Sequence, residues 1–136
     1  MKEKSVGVII FRNRKSPVYL LLHSPAGHWD FVKGNVEQGE TEEETLRREA
    51  KEEAGISDLS VLDGFRETIH YVYRRGTLIN KEVILYIAET KQERVTLSAE
   101  HQAFTWLPFN DALLRITFDA SKKVLSKAHA FITVTT

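Results

Sequence analysis

Glu49, Glu52 and Glu53 are the side chains of this sequence best placed by type and spacing to do chemistry. They close the stretch GNVEQGETEEETLRREAKEEAGI, Gly34 to Ile56, in which eight acidic residues (Glu37, Glu40, Glu42, Glu43, Glu44, Glu49, Glu52 and Glu53) outnumber three basic ones. On a helix, at about 100° per residue, Glu53 falls about 40° and Glu52 about −60° from Glu49, so the three carboxylates share a face. Leu46, Ala50 and Ala54 form a narrow stripe beside them, made mostly of small residues and suited to close packing on a sheet. Grouped carboxylates suit a hard cation such as Mg²⁺, which takes oxygen ligands and works with substrate phosphates. A charged helix face is also the ordinary look of a solvated surface. Glu43–Arg47, Glu44–Arg48 and Arg48–Glu52 are i,i+4 pairs worth only about a few tenths of a kcal/mol each. Glu49 and Glu53 cut against that reading, because like charges at i,i+4 repel unless something positive lies between them. Composition leaves both readings standing.

Spacing separates them. The segment fits Gly-x5-Glu-x7-Arg-Glu-U-x-Glu-Glu-x-Gly-U, with U aliphatic, at Gly34, Glu40, Arg48, Glu49, Ala50, Glu52, Glu53, Gly55 and Ile56. At roughly 5–7% usage per residue type, the seven fixed positions match by chance on the order of once in 10⁸ to 10⁹ starts. This resembles the Nudix box, and the chain is similar to Nudix hydrolases along nearly its whole length. The resemblance implies an α/β fold: a Nudix-type α/β/α sandwich with a mixed β-sheet and the Nudix helix. It implies Mg²⁺-dependent hydrolysis of a nucleoside diphosphate linked to another moiety, with Mn²⁺ as a possible substitute. Glu49 and Glu53 would be the main metal ligands and Glu52 a ligand or water-activating base. Arg48 would pair with Glu40 and brace the loop, while Gly34 and Gly39 let that loop turn tightly into the helix.

Outside the box, HWDFVKG (His28–Gly34), SAEHQAFTWL (Ser98–Leu107) and a Lys81 preceding VILYIAE are similar to the asymmetrical diadenosine tetraphosphate (Ap4A) hydrolases. That similarity implies that His28, Lys33 and Lys81 contact a phosphate chain, and that Glu100 is a further metal-side carboxylate or base with His101 as its neighbour. Tyr73 and Phe118 would clamp an adenine, a contact worth about 1–3 kcal/mol per base on nucleic-acid platforms. The implied reaction is cleavage of Ap4A to ATP and AMP. The alternatives are another pyrophosphohydrolase, acting on an RNA 5′-triphosphate end, a nucleoside triphosphate or an inositol pyrophosphate, or a nucleotide-binding module without turnover. The sequence departs from the Ap4A pattern at Val32, where Pro is frequent, at Asn35, where His is frequent, and at Phe118, where Tyr is usual. Its basic loop around Arg74 and Arg75 is also longer.

The elements that must position these residues are short. Ser5–Arg12 and Val18–Ser24 read as a strand pair, with a further short strand through Trp29–Val32. Thr41 and Glu44 match a capping box, opening a helix that runs to Ala54 and stops at Gly55. Leu59–Tyr73 alternates as a strand, Arg74–Lys81 reads as a basic hairpin loop, and Glu82–Glu89 and Phe104–Phe109 read as strands. Asn110 and Asp111 are positioned to cap one helix, and a second begins at Asp119. Trp29 and Trp106 read as sheet cover, and His70 and His129 as packing or surface residues.

The 136 residues fit one domain, 1–136. Nineteen acids balance nineteen Lys and Arg, so no global field attracts DNA or anionic lipid, and a charged-ligand site must come from local segregation. There is no cysteine, which removes disulfides, thiol catalysis and Cys-ligated zinc. The apolar run near the N-terminus is too short for a signal peptide or a membrane span. The expectation is a cytoplasmic domain whose partner is a small nucleotide.

Overall fold

The long strand β1 (Lys2–Arg12) organises the sheet in this computed structural model, which describes residues 1–134. Along one edge it runs parallel to β7 (Thr77–Glu89). On the other it meets two strands in succession, both antiparallel. β2 (Val18–His23) pairs at Phe11 and Arg12, whereas β4 (Val32–Asn35) pairs from Ser5 to Val8. The two neighbours part company along β1, and the gap between them is where the site lies. β8 (Ala103–Pro108) pairs along the edge of β2 away from β1, β3 (Trp29–Asp30) pairs with the end of β2 on the edge that faces β1, and β5 (Ser60–Val61) and β6 (Glu67–Arg75) pair with β7. The helices are α1 (Glu42–Ala54), α2 (Phe109–Arg115) and α3 (Asp119–Val134).

Successive strand residues point to opposite faces, and in β1 both faces are apolar. Val6, Val8 and Ile10 pack with Leu20, Leu22, Ile84 and Ala88 beneath Leu46, Ala50 and Ala54 of α1. Ile9 and Phe11 join Tyr19, Leu21, Val83, Leu85 and Ile87 against Val124, Leu125, Ala128 and Ile132 of α3, with Ala112 and Ile116. A strand buried on both sides reads as a continuous apolar run, as VGVIIF does. The result is the three-layer sandwich around a mixed sheet. No helix among the described residues is long and apolar enough to cross a membrane.

Two local expectations are corrected. Arg74–Lys81 is not a loop: β6 continues to Arg75, the chain reverses at Gly76 (φ 75°), and β7 begins at Thr77. Cross-strand partners explain the extension, with Tyr73 opposite Ile79 and Val72 opposite Asn80. Asn80 also donates its N–H to Met1 O, stitching the hairpin to β1. Lys81 therefore stands mid-strand, opposite Tyr71. α2 begins at Phe109 behind Pro108, with no side-chain cap, so Asn110 and Asp111 fall inside its first turn.

Candidate active site

The entry to α1 is fixed locally. Thr41 Oγ1 accepts from Glu44 N (3.1 Å) while Glu44 Oε1 accepts from Thr41 N (2.8 Å), and Gly55 closes the helix in the left-handed region at φ 67°. With both ends set, burying Leu46, Ala50 and Ala54 forces Glu49 and Glu53 toward β4.

Arg48 is the hub of the preceding loop. Its Nε donates to Glu40 Oε2 (2.7 Å), Nη1 to Glu49 Oε1 (2.7 Å) and Glu52 Oε2 (3.2 Å), and Nη2 to Glu40 Oε1 and Asn35 O (3.0 Å each). Glu40 Oε1 also accepts from Glu37 N and Thr45 Oγ1 (2.9 Å each). The Arg48 hydrogen bond, then that of the Glu37 N–H, brings the Glu40 carboxyl down to about 2, and the same pairing pushes Arg48 up. Gly34 leaves room for Glu49: a Cβ there would stand 2.1 Å from Glu49 Oε1.

Glu53 meets the opposite environment. It is only 6% exposed, its Oε2 has no hydrogen-bond partner, and its Oε1 lies 3.5 Å from His101 Nε2. Burial first, then the Glu49 and Glu100 carboxylates, push it well above the usual carboxylate range. A buried carboxylate oxygen with no partner, flanked by two more carboxylates, is an environment completed by a cation. Among the described residues, no three acidic or imidazole side chains form a finished coordination shell. Glu49 and Glu52 are turned instead toward Arg48. The donor set is all oxygen and fits a hard divalent ion.

These groups line a cleft of about 550 Å³ in the gap between β2 and β4. Of the residues singled out from the sequence, His28, Lys33, Gly34, Arg48, Glu49, Glu53, Glu100 and Phe118 line it. Glu52 does not: it is 58% exposed on the outer side of α1. Lys33 Nζ is held by Asp30 Oδ2 (3.1 Å), and the His28 ring leans on Phe118 (centroids 4.8 Å apart). Lys81 stands one residue behind the wall, its Nζ donating to Asn35 Oδ1 (2.8 Å).

Past Asp30, Lys33 and Phe118 the cleft continues into a second, mainly apolar cavity of about 440 Å³, with Ile69, Tyr71, Val83 and Leu85 on its wall. Tyr73 is absent from that wall, and Tyr71 faces the cavity with Phe118. Tyr73 lies one pleat further along the same face, its ring 6.1 Å from that of Tyr71 and its hydroxyl donated to Glu3 Oε1 (2.5 Å). Alternation cannot choose between residues two apart, and the hairpin's length decides which of them reaches the cavity. Sequence reasoning also gave no role to His101, Asp30 or Glu3. His101 stood in a quoted motif beside Glu100, and Asp30 in HWDFVKG, whereas nothing in the sequence marks Glu3. Trp29 and Trp106 cover the sheet as expected: Trp29 packs on the α3-side core, and Trp106 donates to Glu93 O beneath Arg12.

Comparison with known proteins bears on this arrangement. The chain matches the NUDIX domain over residues 1–128. The asymmetrical bis(5′-nucleosyl)-tetraphosphatase of Rattus norvegicus is 39% identical, with 97% of each chain covered. The protein of that name from Caenorhabditis elegans is 32% identical over 97% of this chain and 98% of its own. A crystal structure of a C. elegans Ap4A hydrolase binary complex superposes with a TM-score of 0.87, at 32% identity, covering 97% of this chain and 98% of the other.

Proposed function

The chain belongs to the Nudix family of hydrolases, and from that premise we propose that it cleaves Ap4A asymmetrically, adding one water to give ATP and AMP. The observation that carries this is the continuity of the site. The carboxylates of Glu49, Glu53 and Glu100 stand in one cleft, Lys33 borders it, and an apolar cavity walled by Tyr71 and Phe118 opens beyond. A base stacked between those rings places its phosphates past Lys33 and His28 and toward the carboxylates.

The geometry supports these roles. Glu49 and Glu53 would hold Mg²⁺ (or Mn²⁺), with Glu52 joining them when it leaves Arg48; the ion's contribution is to neutralise phosphate oxygens and acidify a water. Arg48 and Glu40 hold the loop, and Gly34 leaves Glu49 room to present its oxygens inward. Glu100 is a cleft carboxylate held by neither Arg48 nor Lys33 and not needed to hold the ion, and it takes the proton of the attacking water. Lys33 and Lys81 bind phosphate charge, and Asp30 holds Lys33 in place. Tyr71 takes the place at the base clamp that Tyr73 was expected to fill. The remaining fixed positions of the Nudix box, Gly34, Glu40, Arg48 and Gly55, are its scaffold. The protein acts in the cytoplasm on a small nucleotide.

Ap4A, GTP, ADP-ribose and 5′-triphosphorylated RNA, each incubated with the protein and Mg²⁺, test the reading. Ap4A should have the highest kcat/KM and yield ATP and AMP in equal amounts. Faster turnover of the RNA end would transfer the assignment to RNA pyrophosphohydrolysis, the activity named for relatives 27% identical to this chain.

A further inference from the structure

Four strands contribute to a second polar cluster at the rim of the cleft. Glu3 of β1, 19% exposed, accepts from Tyr73 Oη (2.5 Å) and Arg75 Nη2 (2.7 Å) of β6, and lies 3.4 Å from Lys81 Nζ of β7. Ser5, two residues along the same face of β1, donates to Asn35 Oδ1 of β4 (2.8 Å), and that oxygen also accepts from Lys81 Nζ (2.8 Å). Asn35 lines the cleft, and its carbonyl accepts from Arg48, so the cluster joins the clamp that holds Glu49. The Lys81 side chain is only 10% exposed, although a lysine on an exposed hairpin ordinarily swings free. The Tyr73 hydroxyl, then Arg75 and Lys81, hold the Glu3 carboxyl at about 2, so it carries its charge at any physiological pH.

The cluster sums to one net positive charge, two cations against Glu3. A lone carboxylate beside a phosphate track would repel substrate, but this one is outnumbered and its oxygens are already engaged. What it supplies is order. A free lysine loses roughly 1.5–2 kcal/mol of rotamer entropy when a ligand pins it, and an ammonium already fixed avoids that loss.

We propose that Glu3 is a positioning residue for polyphosphate recognition: with Asn35 it holds the Lys81 ammonium at the cleft wall, and through Tyr73 and Arg75 it ties the β6–β7 hairpin to that wall. The proposal rests on the reading above that Lys81 meets the phosphate chain. Ionic pairing with Glu3 puts a fixed cation where the sequence alone suggested a mobile loop lysine.

The test uses Glu3→Gln and Lys81→Met, singly and together, in the full chain. KM and kcat are measured with the polyphosphate the protein turns over fastest, and Kd for a methylene-bridged Ap4A analogue by calorimetry. Glu3→Gln keeps an acceptor for Tyr73, so its melting temperature should stay near that of the parent. It should raise KM and Kd about 10- to 30-fold, the roughly 1.5–2 kcal/mol of one released side chain's rotamer entropy, and leave kcat within about two-fold. In the Lys81→Met background it should add nothing. An unchanged or lowered KM in Glu3→Gln, with Lys81→Met still impaired, overturns the positioning role and spares the reading of Lys81. Full additivity of the two substitutions overturns it as well. If Lys81→Met itself leaves KM and Kd untouched, the reading of Lys81 fails and the proposal falls with it.

Discussion

The two walls of the cleft are built by different rules. One wall, Gly34 to Ile56, is ionic and local: Thr41 caps on Glu44, Arg48 reaches Glu40 eight residues back, and the helix carries Glu49 and Glu53 at fixed angles. The other, the β6–β7 hairpin facing Phe118, is aromatic and non-local. Tyr71 owes its place to pairing with Lys81, and Glu3 meets Tyr73 seventy residues away in sequence. In the first wall, spacing along the chain is geometry. In the second, geometry waits on register.

Within the first wall, the largest effect should fall on Glu53. Glu53→Gln should lower kcat by about 10²- to 10⁴-fold, the range for losing an essential acid–base or metal-side group, with the fold intact. Glu52→Gln, on the outer side of the helix, should lose at least ten-fold less. Equal losses from the two substitutions would falsify the inner-versus-outer distinction. The metal-free protein adds a second check. Burial raises the Glu53 pKa above its unfolded value, so the folded state keeps a proton the unfolded chain releases. Stability without metal should therefore fall as pH climbs above the ordinary carboxylate range, and Glu53→Gln should remove that fall. Melting temperatures in EDTA at pH 5 and pH 8 read it directly.

Next in size is Gly34→Ala. A methyl group there collides with the Glu49 carboxylate, which must turn away from the cleft. Displacing one ligand's support typically costs about 10- to 100-fold in metal affinity, so the Mg²⁺ concentration for half-maximal rate should rise by that much. An unshifted Mg²⁺ dependence would show that Glu49 does not need its present seat.

Much of the first wall was legible in the sequence for this reason. Caps, helix length and the carboxylate face follow from residues within about one helical turn of each other, and the structure places them as the spacing requires. The departures have physical causes. Glu42, in the sequence only one more acidic residue of the first helical turn, takes Lys4 (2.7 Å), Arg66 and the Tyr86 hydroxyl, partners brought from β1, β7 and the loop before β6. In the second wall, the apolar pattern announced strands but not where the hairpin turns. Placing the reversal at Gly76 makes Lys81 a strand residue and brings Tyr71, not Tyr73, to the cavity. Glu3 carried no signal, because one acidic residue near an N-terminus is ordinary until its partners are known.

Register in the second wall is tested by a pair of truncations. Tyr71→Ala should raise KM for Ap4A about 5- to 150-fold, the equivalent of about 1–3 kcal/mol of base stacking. Tyr73→Phe keeps its ring and loses only the hydroxyl to Glu3, and should raise KM less. Equal effects from the two, or a larger one at Tyr73, would return the base to the outer position and move the cavity's role elsewhere.

The smallest effect is one the two walls should share. Glu40 and Glu3 are both held near a pKa of about 2, by Arg48 in one wall and by Tyr73, Arg75 and Lys81 in the other. A carboxylate with a depressed folded pKa stabilises the fold above its unfolded value and loses that contribution as pH falls toward the folded one. Both clamps should therefore be intact at pH 7, weaken below about 4.5 and be gone near 2. Each is partly solvated, so the stabilisation is modest and salt reduces it. Glu40→Gln and Glu3→Gln should each lower the melting temperature slightly at pH 7, and the difference from the parent should shrink to nothing near pH 2. The contrast between the walls returns in activity. Glu40→Gln loosens Arg48 and so reaches Glu49, lowering kcat, whereas Glu3→Gln acts on KM. If both substitutions move the same kinetic constant, the division of the cleft into a catalytic and a binding wall is wrong.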